Sequence, residues 1–523
     1  MLICTRNNTT LTLKYFALFL ITISILNFAE AQNSFLIIDK ESNLIFESEL
    51  ISQSDSFHSA IYPKVISEIT NYDSIQKSFT NGNSRFLNHY PINIFNHSSR
   101  IVPLLNLDLS KDLSGNPSPY KTGMGVLFHS DINVKLSLEF SFYGAKERFD
   151  IQNQRQIDNT GILPHIGTYN AQITDAYAYT NWQGYIAYRP YRFLNFQVGK
   201  QKNFIGDGYR SLLLSDNSSP YPFIKATVHA GKIQYMVLYQ FLKDIDTEFE
   251  TSPNEAKFST SHMLSWNIGK RFNINLFETV IWRDHLEPTV HRGYDINYLN
   301  PIIFLRPVEF SIGSPDNVIM GGGTRLRLFK NTHLYGQFIL DEFKLKEIIS
   351  DAGWWANKYG YQVGVKIYDL FKIKHLFVLG EYNTVRPFMY SHKTSMENYG
   401  NMYQPLAHPL GANFKEVIAL ANFQKNRWQF QAKICYSKIG IDKDSTNYGQ
   451  NIYRSYFDNK NEYGNFTLQG LLTRIVSNEL KVSYIINPLW NLKVESGIRL
   501  YSYSNNNEQV KQSSIFLSFK TLF

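Results

Sequence analysis

The chain has 523 residues, of which 15% are aromatic, and a formal net charge of +8. Its mean hydropathy of -0.27 is polar on average. That mixture suits strands showing one face to lipid and the other to a wet interior, with Tyr and Trp at both interfaces. Two cysteines, Cys4 and Cys435, exclude a disulfide framework.

Residues 1–31 read as a secretory signal peptide. Arg6 and Lys14 supply positive charge, 15–28 is an apolar run, and Ala29-Glu30-Ala31 is an A-x-A site. Cleavage is expected after Ala31, leaving Gln32 as the mature N-terminus. The apolar run is short for a spanning helix, and no later stretch reads as one. A membrane location therefore requires a barrel. Cys4 leaves with the signal, and Cys435 remains alone. Loss of Arg6, Lys14 and Glu30 removes two positive charges and one negative, taking the net charge from +8 to +7. That balance suits an anionic polymer or lipopolysaccharide, and equally a basic lumen with no specific ligand.

Residues 32–100 are rich in Ser, Asn and Asp, with one helical stretch predicted at 62–79. They read as an N-terminal periplasmic cap or lumen plug, with a partly ordered lead-in as the alternative. From 101 to 523 the pattern alternates with period two, as strands of a barrel wall should. Val134, Leu136, Leu138, Phe140 and Phe142 face one way, and Lys135, Ser137, Glu139 and Ser141 the other. Trp428, Phe430, Ala432, Ile434 and Tyr436 alternate with Gln429, Gln431, Lys433 and Cys435. Leu492, Val494, Ile498 and Leu500 alternate with Lys493, Glu495 and Arg499. The chain finishes on Ile515, Leu517, Phe519 and Phe523, an apolar strand face with a terminal aromatic. This reads as the strand that closes a barrel and that insertion machinery recognises.

Connections alternate between short and long. Short ones fall near 130–131, 189–192, 231–232, 270–271, 330–331, 369–372, 425–426 and 487–491. Long ones cover about 144–173, 204–221, 243–258, 284–316, 344–358, 385–413 and 438–476. Tight periplasmic turns and long outer loops are how outer-membrane barrels are built. Eight hairpins, an opening strand at 101–110 and a closing strand at 513–523 predict an all-β, antiparallel transmembrane barrel of about 18 strands, with 16 as the runner-up. Residues 466–473 are assigned to an outer loop. Counting them as a strand would place Phe523 on the wrong side of the membrane.

The most distinctive segment runs from Gly199-Lys200 through Gly206-Asp207-Gly208-Tyr209-Arg210 to Leu212-Leu213-Leu214-Ser215-Asp216-Asn217. It resembles the strand and Gly-x-Gly loop of the capsule-assembly Wzi family of outer-membrane barrels. Three further segments resemble Bacteroidota members of that family, including barrels linked to gliding motility. They are Tyr298-Leu299-Asn300-Pro301-Ile302 through Arg306 and Glu309; Glu381-Tyr382 through Arg386-Pro387 and Tyr390-Ser391-His392; and the stretch from Leu406-Ala407-His408 to Asn413-Phe414. The resemblance spans roughly 100–523 and implies an eighteen-stranded barrel with a lectin-like role, holding exopolysaccharide at the cell surface. This chain has Lys200 where better-known members usually have Arg, and lacks their Trp-rich approach to the Gly-x-Gly loop.

Read physically, Gly206 and Gly208 suit turns of positive φ. Asp207, Arg210, Asp216 and Asn217 are the candidate ligand-binding residues. They either bond sugar hydroxyls or fold the loop onto itself, and the latter is the simpler role. Trp354-Trp355 is expected in an interface girdle. His392 and His408 lack metal-ligand spacing, so no metal is expected. His392 and Ser395 have no nameable third partner, and Gly-x-Ser-x-Gly, His-Glu-x-x-His and phosphate-loop motifs are absent. The sequence therefore predicts a non-enzymatic barrel without cofactor or nucleic-acid partner. Its expected partners are outer-membrane lipid and lipopolysaccharide, a surface polysaccharide and the insertion machinery. The loops 204–221, 284–316 and 385–413 are expected to form the glycan surface. A porin-like diffusion channel is the alternative.

Overall fold

The computed structural model describes residues 47, 58–65, 92–94, 99–133, 135–244, 255–287, 290–302, 316–342, 344–487 and 491–521. The signal peptide expected at 1–31 with its cleavage site at Ala31 and Gln32, most of the helix expected at 62–79, and Phe523 lie outside them.

Eighteen long antiparallel strands close into a barrel. The first half of the wall begins with β1 (Ser99–Asp112), β2 (Tyr120–Asn133), β3 (Leu136–Arg148), β4 (Ala176–Tyr191) and β5 (Leu194–Gln201). It continues through β6 (Tyr221–Ala230), β7 (Ile233–Asp244), β8 (Glu255–Asn267) and β9 (Phe272–Arg283). The second half begins with β10 (Asn317–Phe329), β11 (Thr332–Leu340), β12 (Tyr359–Ile367), β13 (Leu376–Val385) and β14 (Phe414–Lys425). It ends with β15 (Trp428–Ile441), β16 (Leu471–Asn487), β17 (Leu492–Ser504) and β18 (Gln509–Lys520). β18 pairs with β1 from Ser514↔Asp112 to Lys520↔Asn106, which leaves no open edge in lipid. This is a multi-pass outer-membrane β-barrel, with the short turns and both ends of the wall on the periplasmic side.

Wall facing follows the alternation. Phe140, Phe142, Phe430, Ile434, Ile498 and Leu500 are exposed on the outer face, whereas Ser137, Ser141, Gln431, Cys435 and Glu495 are buried on the inner one. Element bounds shift by a few residues. The opening strand starts at Ser99, and Leu471 already belongs to β16, so only the first part of 466–473 is loop. Two outer connections, 113–119 and 505–508, are short, so loop length alone does not sort the two ends.

The interior is occupied from three directions. At the periplasmic end, residues 58–65 sit in the lumen. His58 Nδ1 lies 2.8 Å from Ser265 Oγ on the inner face of β8, and Lys64 Nζ donates to His58 O at 2.7 Å. Ile61–Tyr62 pairs as a short strand with Phe204–Ile205, so residues 62–65 are not the start of a helix. In the middle, the outer loop 202–220 folds inward. Leu212, Leu213 and Leu214 are fully buried against Met236, Leu238, Met263, Phe277 and Ile339. Burying each leucine is worth roughly 1.5–3 kcal/mol, enough to hold an outer loop inside the barrel. At the outer end, 386–413 and 442–470 close over this core. Asn413 knits them together: its Nδ2 donates to Gly440 O at 2.7 Å and Gln469 O at 2.9 Å, and its Oδ1 accepts from Leu468 N at 2.6 Å.

A helix, α1 (Ile151–Thr160), caps the other half of the mouth. Asp150 accepts from Asn153 N at its start, and Gly161, with φ +69, ends it. Outside the wall, residues 293–302 form a strap over β7–β10. Tyr298 packs on outward-facing Val280, Trp282 and Val318, and Tyr239 Oη donates to Leu299 O at 2.9 Å.

Candidate functional site

The inward loop is held by one polar side chain from each of four neighbouring strands. On β11, Gln337 Oε1 accepts from Leu212 N at 2.8 Å. On β12, Gln362 Nε2 donates to Arg210 O at 3.0 Å. On β13, Glu381 accepts from Tyr209 N at 2.7 Å, Arg210 N at 3.0 Å, Tyr335 Oη at 2.7 Å and Asn383 Nδ2 at 2.9 Å. Four donors on one carboxylate compensate the cost of burying it. On β14, Glu416 lies 3.5 Å from Arg210 Nε and 2.7 Å from His408 Nε2. His408 Nδ1 accepts from Leu410 N at 3.2 Å, so Nε2 carries the proton and donates to Glu416. Burial lowers the His408 pKa from its ordinary value, and Glu416 opposes that shift.

The four residues singled out in sequence share this loop. Asp207 is buried and accepts from Ser59 Oγ, which ties the loop to the N-terminal segment. Arg210 points at Glu416. Asn217 Nδ2 donates to Pro405 O at 3.0 Å, which docks the loop under 386–413. Asp216 is half-buried one residue before it. The structure places 204–221 in the lumen rather than at the surface where sequence reasoning set it. Gly206 has the expected positive φ. Gly208 does not; it is needed because its backbone presses on Glu381 and Gln362.

Sequence reasoning missed Gln337, Gln362, Glu381 and Glu416 as the anchors. Their only signal was polarity at inward positions of apolar strands. It also misplaced Trp354 and Trp355. Trp355 packs against Tyr456 in a tilted arrangement with centroids 4.8 Å apart, in the outer loops rather than a wall girdle. His392 Nδ1 lies 2.8 Å from Glu397, while Ser395 Oγ has no hydrogen-bond partner among the described residues.

The mouth has a second surface. Loops 341–358 and 442–470 are joined by Asn465 N to Gly353 O at 2.8 Å and Trp355 N to Glu462 O at 3.0 Å. Around that seam Phe457, Tyr463 and Phe466 are exposed. A third feature is a row of partly exposed charges on the inner faces of β16–β18 and β1–β3. Arg499 bridges Glu479 at 3.0 Å and Asp108 at 3.3 Å, and Lys121 pairs with Glu147 at 3.2 Å.

The fold defines an outer-membrane β-barrel whose lumen is packed by its own chain along β6–β14. No protein-family model and no curated protein matches the sequence. Among solved structures the chain is similar to Wzi of Escherichia coli, titled an outer-membrane protein involved in group 1 capsule assembly and a carbohydrate-binding β-barrel. The identity is 11% and the TM-score 0.57, over 94% of this chain and 99% of that one. It also matches OprD of Pseudomonas aeruginosa, at 11% identity and TM-score 0.41 over 81% of this chain and 94% of that one. OccAB2 of Acinetobacter baumannii matches at 10% and 0.44, over 81% of this chain and 97% of that one. The likeness to Wzi is one of fold.

Proposed function

We propose that this barrel retains a surface polysaccharide at its outer face, in capsule or exopolysaccharide attachment or in surface gliding. The observation that carries this reading is the packed lumen beneath an exposed aromatic seam. Flat rings suit the C–H faces of sugars, and Phe457, Tyr463, Phe466 and the half-buried Trp354 offer them beside Asn459, Lys460 and Asn461. The likeness in fold to Wzi, a carbohydrate-binding β-barrel, supports it. In this reading Asp207, Arg210, Asp216 and Asn217 position the plug and the loops above it. The outer-membrane lipid, lipopolysaccharide and insertion machinery are the partners of its setting.

One observation favours a porin-like channel instead: the charge row from Glu479 through Arg499 to Lys121 stays partly open to water. A polar stripe beside a packed plug is how a narrow solute path would be lined.

Two measurements decide between them. Planar-bilayer conductance of the full chain should be low and should lack regular open steps. Cells carrying Phe457→Ala, Tyr463→Ala and Phe466→Ala together should release glycan into the medium while the barrel still inserts. Open steps in the wild type, with unchanged glycan retention in the triple variant, establish the channel reading.

A further inference from the structure

The hairpin after β9 brings two imidazoles and two carboxylates together at the outer mouth. His285–Glu287 pairs with Val290–His291, and the register sets His285 directly across from His291. Their ring centroids are 4.1 Å apart. Asp284 Oδ2 lies 3.0 Å from His291 Nδ1 and 3.9 Å from His285 Nε2. Glu255, the first residue of β8, brings its Oε2 to 3.3 Å from His285 Nε2. One ligand atom from each of Asp284, His285 and His291 fits within 4.8 Å of the other two.

We infer that Asp284, His285, His291 and Glu255 form a binding site for a transition-metal dication of the zinc type. Bonds of about 2.0–2.2 Å to a tetrahedral ion set its donors roughly 3.3–3.6 Å apart, so these atoms need only small movements to converge. The donor set is mixed imidazole and carboxylate, which suits zinc and its neighbours; calcium and magnesium call for oxygen ligands throughout. Two carboxylates balance the charge of the ion. Asp284 is already oriented, because its Oδ1 accepts from Gly293 N at 2.7 Å and its Oδ2 faces the two imidazoles. The guanidinium beside His291 is committed elsewhere: Arg292 bonds Asp316 at 2.7 Å and Asp295 at 2.7 Å. His291 is exposed, so an ion enters from the medium without opening the barrel. The site stands at the root of the strap 293–302, and a bound ion fixes where the strap leaves the mouth. Without an ion, the His291–Asp284 contact is an ordinary hydrogen bond and His285 simply neighbours Glu255.

Calorimetry separates the two. The full chain, purified without a polyhistidine tag and stripped with EDTA, is titrated with zinc chloride in detergent at pH 7.5. Folding of every variant is checked by heat-modifiable mobility. One zinc per chain is expected, weakened about tenfold or more by His291→Ala and again by His285→Asn. Millimolar calcium should not displace the ion. Absence of zinc binding, equal affinity in the wild type and His291→Ala, or displacement by calcium overturns the assignment.

Discussion

A Cβ added to Gly208 would stand 2.5 Å from Glu381 Oε2 and 2.7 Å from Gln362 Oε1. Those two side chains hold the backbone of Tyr209 and Arg210, so a larger residue at 208 must push the loop off its anchors. Gly208→Val should leave insertion intact, because the wall is untouched. It should raise planar-bilayer conductance above the wild type; an unchanged trace would mean the loop accommodates the side chain. Sequence reading singled out this glycine but gave it the wrong reason. Positive φ is a property of the local chain, whereas the contact with Glu381 spans more than 170 residues and leaves no mark near 208. Wall residues are simpler. Ile434 is exposed near the middle of β15, and Phe430 lies closer to its periplasmic end. Ile434→Arg should therefore cost about 2–4 kcal/mol, and Phe430→Arg less. The readout is urea unfolding in lipid vesicles. A cost for Gln431→Arg, on the inner face, equal to that for Ile434→Arg would contradict the facing.

At the scale of elements, strands were legible and loops were not. A strand in a barrel wall must alternate, because lipid and lumen lie on opposite sides of one backbone. Trp428 to Tyr436 therefore shows its facing without help from the rest of the chain. A loop carries no such rule. The stretch from Phe204 to Pro220 looked like a surface loop because it joins two strands at the outer end. Its Leu212-Leu213-Leu214 run was the overlooked sign, since three adjacent leucines have no stable place in water. The energetic consequence can be tested. Leu213 packs against inward residues of several strands, and Leu213→Ala should cost about 2–5 kcal/mol, according to how far the site collapses. That loss should appear in the loop's own opening rather than in the wall, whose ladders do not depend on it. Hydrogen exchange should accordingly quicken at Leu212–Leu214 and stay slow in β11–β13. Uniform quickening through the barrel would show that the plug and wall unfold as one unit.

For the whole molecule, closure between β18 and β1 leaves the wall without an open edge, and the count of eighteen strands followed from the hairpins that close on the short periplasmic turns. The mouth surface was legible only in part, because its aromatic seam joins loops about 110 residues apart in sequence. Charge decides how such a surface would meet the glycan proposed for it. The full chain carries +8, and with the signal removed the balance stays positive. Attraction of an acidic polymer to the positive chain as a whole acts over a distance set by screening, about 10 Å at 0.1 M salt and 3 Å at 1 M, while the seam loops 341–358 and 442–470 themselves hold eight acidic and six basic residues. Contacts between rings and sugar faces are short-ranged and do not screen this way. Retention of an acidic glycan by whole cells should therefore weaken on moving from about 0.1 to 1 M sodium chloride, while retention of a neutral one should hardly change. The triple substitution of Phe457, Tyr463 and Phe466 by Ala should lower both at either salt concentration, since it removes the rings and leaves the charge. Salt-independent retention of the acidic glycan would assign recognition to the aromatic seam alone. Loss with salt but no effect of the triple variant would move the contact to basic residues away from the aromatic seam.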